Sequence, residues 1–308
     1  MNKIAIIVDS VCSLPDRLLE KYNIIRVPIT INIDGKSFSD PCSAASAVQM
    51  FTSGQLSRRH RVTTLPPTPQ AFAKAIEKAI EAGAEQVFVQ TLNRKQGDTY
   101  DHANTAVSMV ASRIESKKVT VRVMDSRTVF SGQALMVAET LRRLLTEKDA
   151  NTVRRQMDVL SAKILTYVLP KSPLIALERS KSRGERSVGW AQALIANTIG
   201  IHPILCNAND ASECVAKILG FDKACDQLFR HAEALIAKGL LSPIMVLNYA
   251  GPLINLKKIP AFELLEAVAK EAKIQLIVSE MSLAGGIYSS PGSLSLSIMS
   301  ETSDWQVS

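Results

Sequence analysis

QVFVQTLNRKQGDTYDHANTAVSMVASRIESKKVTVRVMD, residues 86–125, decides the fold. Gln86 to Thr91 is too short for a helix, and its core, VFVQT, is built from β-branched and aromatic residues; it reads as a buried strand. A polar loop, Asn93 to Thr99, follows. Thr99 to Ser116 reads as a long helix, and Val119 to Met124 as the next strand. Strand, loop, helix and strand in this order imply two parallel strands joined by a helix that covers one face of the sheet.

The same order extends outward from this unit. Upstream, Lys3 to Val8 is an apolar strand ending in Asp9-Ser10, and Leu14 to Lys21 a helix with Ser13 as N-cap and Pro15 in its first turn. Ile25 to Ile33 is rich in β-branched residues and stops at Asp34-Gly35, a hairpin-type turn. Ser43 to Ser53 reads as helical. Thr68 to Ala82 is a helix capped by Thr68, opened by Pro69 and stopped by Gly83. Gly132 to Leu145 is a further helix.

A second unit opens near Lys163. Ile164 to Val168, His202 to Cys206, Ile244 to Asn248 and Ile274 to Ser279 read as strands. Leu174 to Lys181, Gly189 to Asn197, Phe221 to Lys238 and Ala261 to Ala272 read as helices. In the tail, Leu294, Leu296 and Ile298 alternate with polar residues, the pattern of a strand with one buried face. The expectation is an α/β protein of two domains, 1–162 with a parallel sheet and 163–284 as a second α/β domain. A C-terminal segment, 285–308, follows.

Bulk composition narrows the function. Apolar residues form 46% of the 308, enough for a sizeable core, and the net charge of +7 is spread along the length. Aromatic residues are only 5% and do not interleave with basic ones, so stacking platforms for nucleic acid are not expected. The cysteines, Cys12, Cys42, Cys206, Cys214 and Cys225, are odd in number and form no CxxC pair. Reduced thiols in the cytoplasm are the expectation. MNKIAIIVDS reads as a first strand and not a signal peptide, and no stretch reaches the length of a membrane helix.

In parallel sheets ligands sit beyond the carboxyl ends of the strands. Four loops lie there, after Val8, Val62, Thr91 and Met124. Thr63 to Pro69 offers hydroxyls and free N–H groups at a helix start, suited to a carboxylate or phosphate, or simply to capping. Asn93 to Thr99 brings two cations and an amide beside a helix N-terminus, or forms a solvated charged loop. Asp9-Ser10 and Asp125-Ser126 are more readily turn formers than metal ligands. GxSxG, GxxxxGK[ST] and GxGxxG patterns for nucleophilic or phosphate chemistry are not found where they would be needed.

The series of segments resembles the DegV family of bacterial fatty-acid-binding proteins, which present an acyl chain to a partner kinase. The matching pieces are IAIIVDSVCSLP at 4–15, VPITINIDGKSFSD at 27–40, TLPPTPQAF at 64–72 and QTLNRKQGDTYDHANTA at 90–106. VRVMDSRTVFSGQAL at 121–135, IGIHPIL at 199–205 and SSPG at 289–292 continue it. The resemblance implies an acyl tail in an apolar interdomain tunnel, its carboxylate held by loop side chains. By position Thr64 matches the family threonine, and the family's paired serines fall on Asn93 and Arg94. The histidine of its late HTGPG stretch falls on Tyr288. The implied ligand set is Ser10, Thr64, Asn93, Arg94, Tyr288 and Ser289. Arg186 matches the arginine of the GGRI stretch, which in the family faces the kinase; here the stretch reads GERS. Arg94 in place of a serine is suited to a bidentate pair with a carboxylate. The resemblance implies no catalytic residue, cofactor or metal. Its partners are a long-chain fatty acid and an acyl-processing kinase, without nucleic acid or stable membrane insertion.

A different class of function stays open at this point. An enzyme or transferase acting on a small phosphorylated or carboxylated molecule would use Arg94 and Lys95 as an anion clamp. Asp9, Asp98 and Asp125 would be its candidate bases.

Overall fold

The computed structural model describes residues 3–147, 149–182, 200–305 and 307. Seven strands fall within the first 125 residues: β1 (Ile4–Asp9), β2 (Ile25–Val27), β3 (Thr30–Ile33), β4 (Lys36–Ser39), β5 (Val62–Leu65), β6 (Gln86–Thr91) and β7 (Thr120–Asp125). They form two sheets. The first is parallel, in the order β2-β1-β6-β7, with Thr91 in register with Asp125 at the carboxyl edge. The second is a small antiparallel sheet, β4-β3-β5.

The run Ile25 to Ile33, expected as one strand, is therefore two strands in different sheets. Pro28 interrupts it, because a residue without an N–H cannot continue a ladder. The hairpin at Asp34-Gly35 forms as its dipeptide dictates, both residues having positive φ, 51° and 86°. Helix Pro69–Glu81 starts and stops at its sequence signals: Thr68 Oγ1 accepts from Ala71 N at 3.2 Å, and Gly83 turns the chain at φ 90°.

Two helix expectations are corrected. Helix Asp16–Lys21 starts after Pro15, and Ser13 does not cap it. The Ser13 hydroxyl instead donates to Val11 O and accepts from Ser282 N, tying the loop to the second half. The span 99–116 is two helices, Thr99–Met109 and Ala111–Lys117, which meet at Val110, where φ is −105°.

Six further strands build one mixed sheet: β8 (Ile164–Leu169), β9 (Ile201–Ala208), β10 (Ala211–Leu219), β11 (Ile244–Tyr249), β12 (Gln275–Glu280) and β13 (Leu294–Met299). Their order is β10-β9-β8-β13-β11-β12, and only β11 and β12 pair in parallel. β13, from the tail, sits at the centre, antiparallel to both β8 and β11. It is buried on both faces, not one. Leu294, Leu296 and Ile298 pack with Tyr167 and Phe229 under helix Phe221–Lys238. Ser295 and Ser297 face helix Ser131–Thr146, where the Ser131 hydroxyl bonds to both at 2.6 Å.

That helix lies between the parallel sheet and the mixed sheet. Its residues Leu135, Val137 and Leu141 share a core with Ile6 and Val8 of β1 and with Val246 of β11. Close contact needs a glycine at 132, because a Cβ there would lie 2.1 Å from Thr166 Oγ1.

Candidate functional site

A cavity of about 260 Å³ opens between the two halves at the carboxyl edge of the parallel sheet. Its walls are apolar: Val11, Ile29, Leu92 and Phe130 from the first half, and Val168, Leu205 and Ala284 from the second. The loop after β1, the loop after β6, the start of helix Ser131–Thr146 and strands β8 and β9 thus converge on one space.

Asp9 holds these walls in place. Its carboxylate is fully buried and accepts from Val11 N at 3.0 Å, Leu92 N at 2.8 Å and Gln133 Nε2 at 3.0 Å. Burial pushes its pKa up to about 6, against the pull of those donors. Ser10 acts one step further back. Its hydroxyl donates to Asp40 at 2.7 Å and accepts from Ile29 N at 3.1 Å, so it fixes the Ile29 wall without lining the cavity.

The polar end is built from residues far apart in sequence. Thr64, on β5, meets Tyr288, in helix Leu283–Ser289, with 2.9 Å between their hydroxyl oxygens. Both line the cavity. Ser289 also lines it, but its hydroxyl donates to Gly285 O at 2.7 Å. Gly285 and Gly286 let this short helix approach: a Cβ at 286 would lie 2.0 Å from the Phe51 ring.

Asn93 and Arg94, expected beside Thr64, do not line the cavity. Asn93 is buried as a loop former, its Oδ1 accepting from Lys95 N at 2.8 Å and its Nδ2 donating to Arg127 O at 3.3 Å. Arg94 is half-exposed and turns toward Asp125 and Asp210, with N–O separations of 3.5 Å and 3.9 Å. Two carboxylates draw the guanidinium away from Thr64. Arg186 lies outside the described residues.

Other lining residues were not singled out by the sequence reading. Gln96, Gly97 and Thr99 come from the loop that carries Asn93 and Arg94, so the loop was the right one and the side chains were the next ones along. Thr99 and Ser180 are buried and line it as well. Asn207 and Ser212, cross-strand partners on β9 and β10, join them. Alternation along β9 is the signal for these: Leu205 and Asn207 face the cavity, while Cys206 belongs to the opposite core.

The three buried thiols are poor nucleophiles. Burial pushes the Cys12, Cys206 and Cys225 thiols up to about 12, leaving them protonated. Asp125 is engaged with the backbone N–H groups of Arg94 and Arg127. Among the described residues, no three of His, Cys, Asp and Glu converge as a metal cage, and no helix is long and apolar enough to cross a membrane.

A family model described as "uncharacterised protein, DegV family" matches residues 3–301. The chain belongs to the DegV family. A DegV domain-containing protein of Xanthomonas campestris is 24% identical to it over 307 residues, covering 97% of this chain and 98% of the relative. One from Streptomyces coelicolor is 28% identical over 302 residues, covering 96% and 98%. Among solved structures, a stearic acid-binding protein from Eubacterium ventriosum matches with a TM-score of 0.80 at 17% identity, covering 96% of this chain and 98% of that one. DegV of Bacillus subtilis, described as a fatty acid binding protein, matches with a TM-score of 0.76 at 17% identity, covering 97% and 99%. The shared DegV fold is the one built above.

Proposed function

We propose that the chain binds a fatty acid, its acyl tail in the interdomain cavity and its carboxylate at the Thr64 and Tyr288 hydroxyls. The observation that carries this is the cavity itself: apolar walls from both halves, closing on one pair of convergent hydroxyls. The description of the Eubacterium ventriosum and Bacillus subtilis proteins as fatty acid binders supports the reading. Each methylene taken from water into such a cavity contributes about 0.8 kcal/mol, so the tail supplies most of the affinity and the head group the orientation. Thr99, at the start of helix Thr99–Met109, offers a further donor.

The role is binding, without a chemical step or a cofactor. Of the three candidate bases, Asp9 and Asp125 are engaged in holding loops and do not line the cavity, while Asp98 lines it at the start of helix Thr99–Met109. Delivery of the bound acid to an acyl-processing kinase, with Arg186 as a residue for binding that partner, completes the proposal. A cytoplasmic setting fits the free cysteines.

Native mass spectrometry of protein taken directly from cells tests the reading. The expected result is an added mass of one fatty acid, lost on delipidation and restored by incubation with palmitic acid. Delipidated, folded protein that takes up no palmitic acid would refute it.

A further inference from the structure

Arg179 is the one arginine of helix Pro173–Ser182 that is turned inward and buried, 6% exposed. Its guanidinium donates only to carbonyls: Nη1 to Val62 O at 2.9 Å, and Nη2 to His60 O at 3.2 Å, Ser57 O at 3.3 Å and Leu56 O at 3.4 Å. No carboxylate lies within ion-pair distance of it among the described residues. Glu178 is bound to Arg58 and Asp34 to His60. A guanidinium held by neutral acceptors keeps its full charge directed at whatever lies beside it.

What lies beside it is the polar end of the cavity. Val62, which takes the shortest of its bonds, is two residues from Thr64 on β5, about 7 Å along the strand at the usual rise. Ser180, the next residue, lines the cavity. Helix Leu283–Ser289, which carries Tyr288, packs on the Arg179 helix.

We infer that Arg179 is the charge-selecting residue of this cavity: fixed behind the Thr64 and Tyr288 pair, it favours an anionic head group over a neutral one on the same acyl chain. The inference rests on the acyl-binding reading above and adds the residue that sets head-group charge. Arg179 does not line the cavity; it acts across the hydroxyl pair and by fixing β5, so it is a positioning residue with an electrostatic reach. Arg94, with two carboxylates beside it, is the worse source of that field.

The test compares palmitate with hexadecanol at pH 8, in delipidated full-length protein, for wild type, Arg179→Lys and Arg179→Gln. The ratio of the two affinities is the readout, because a general loosening of the cavity weakens both ligands together. Wild type is expected to prefer palmitate by tenfold or more, Arg179→Lys to keep most of that preference, and Arg179→Gln to bring the ratio close to one. If Arg179→Gln does not fold, the wild-type ratio and that of Arg179→Lys decide. A wild type that binds both ligands equally overturns the inference and leaves acyl binding standing. An unchanged ratio in folded Arg179→Gln overturns it as well. A wild type that binds neither ligand removes the acyl-binding reading and the inference with it.

Discussion

Tyr288→Phe removes one of the two hydroxyls that meet at the polar end of the cavity while keeping the ring that packs there. In the structure Tyr288 Oη and Thr64 Oγ1 are 2.9 Å apart, each half-buried. An arriving carboxylate accepts an O–H from each. A hydrogen bond to a charged acceptor is worth about 1.5–3 kcal/mol, so losing one donor weakens binding by about 10- to 150-fold. The lower end is expected, because Thr64 loses a partner in the free protein and no longer has to turn from Tyr288 to the ligand. The assay is displacement of a fluorescent fatty acid by palmitate, with urea unfolding of the ligand-free variant as a check on the fold. Thr64→Val should show a loss of similar size, and the double variant less than the sum of the two, since the residues share a partner. Affinities within twofold of wild type for both single variants, with the fold intact, refute the placement of the head group.

Arg94→Ala should leave palmitate affinity within twofold of wild type in the same assay, because its side chain faces Asp125 and Asp210 and not the cavity; a tenfold loss would return Arg94 to the site. Gly286→Ala drives a Cβ into the Phe51 ring and should cost about 1–3 kcal/mol in urea unfolding, along with weaker palmitate binding as Tyr288 is displaced. Asp9 makes stability depend on pH. Its carboxyl is pushed from 3.8 up to about 6, so the folded chain holds this proton more tightly than the unfolded chain does. Its contribution therefore falls as pH rises from about 4 to about 6, by about 3 kcal/mol at the limit. Unfolding free energies of wild type and Asp9→Asn measured between pH 4 and 7 should diverge in that window; parallel profiles would refute it.

Local signals carried furthest in the sequence. Thr68, Pro69 and Gly83 fix a helix through their own backbone preferences, and Asp34-Gly35 fixes a hairpin in the same way. Where partners decide, the reading stopped short. β10, ASECVAKIL, is an edge strand with mixed exposure and no clean period, and helix Ala150–Leu160 was passed over although Asp149 caps it. The serines of β13 read as solvent-facing because nothing local reveals that hydroxyls from another helix will meet them. The site followed the same division. The expected loop after Val62 is instead strand β5 of the small antiparallel sheet, which carries Thr64. The loops after β1 and β6 were legible, since strand order in the parallel sheet places them at one edge. Side-chain direction was not: Asn93 and Arg94 turn to partners at 125–127 and 210 that no periodicity announces, while Thr99, one helix start later, faces inward. Tyr288 was placed only by its position in a familiar series of segments.

The seam between the halves has its own consequence. Thr128, Thr166, Ser297, Ser131 and Ser295 form an unbroken row in which neighbouring oxygens are 2.6–2.8 Å apart. The three inner hydroxyls, of Thr166, Ser297 and Ser131, each bridge two neighbours, so parting the seam would strand several of them at once in an apolar setting. The two halves are thus riveted along this row. On the proposed reading, the side left for a fatty acid to enter is the solvent side, where the exposed Leu65 and the turn at Gly97 line the cavity.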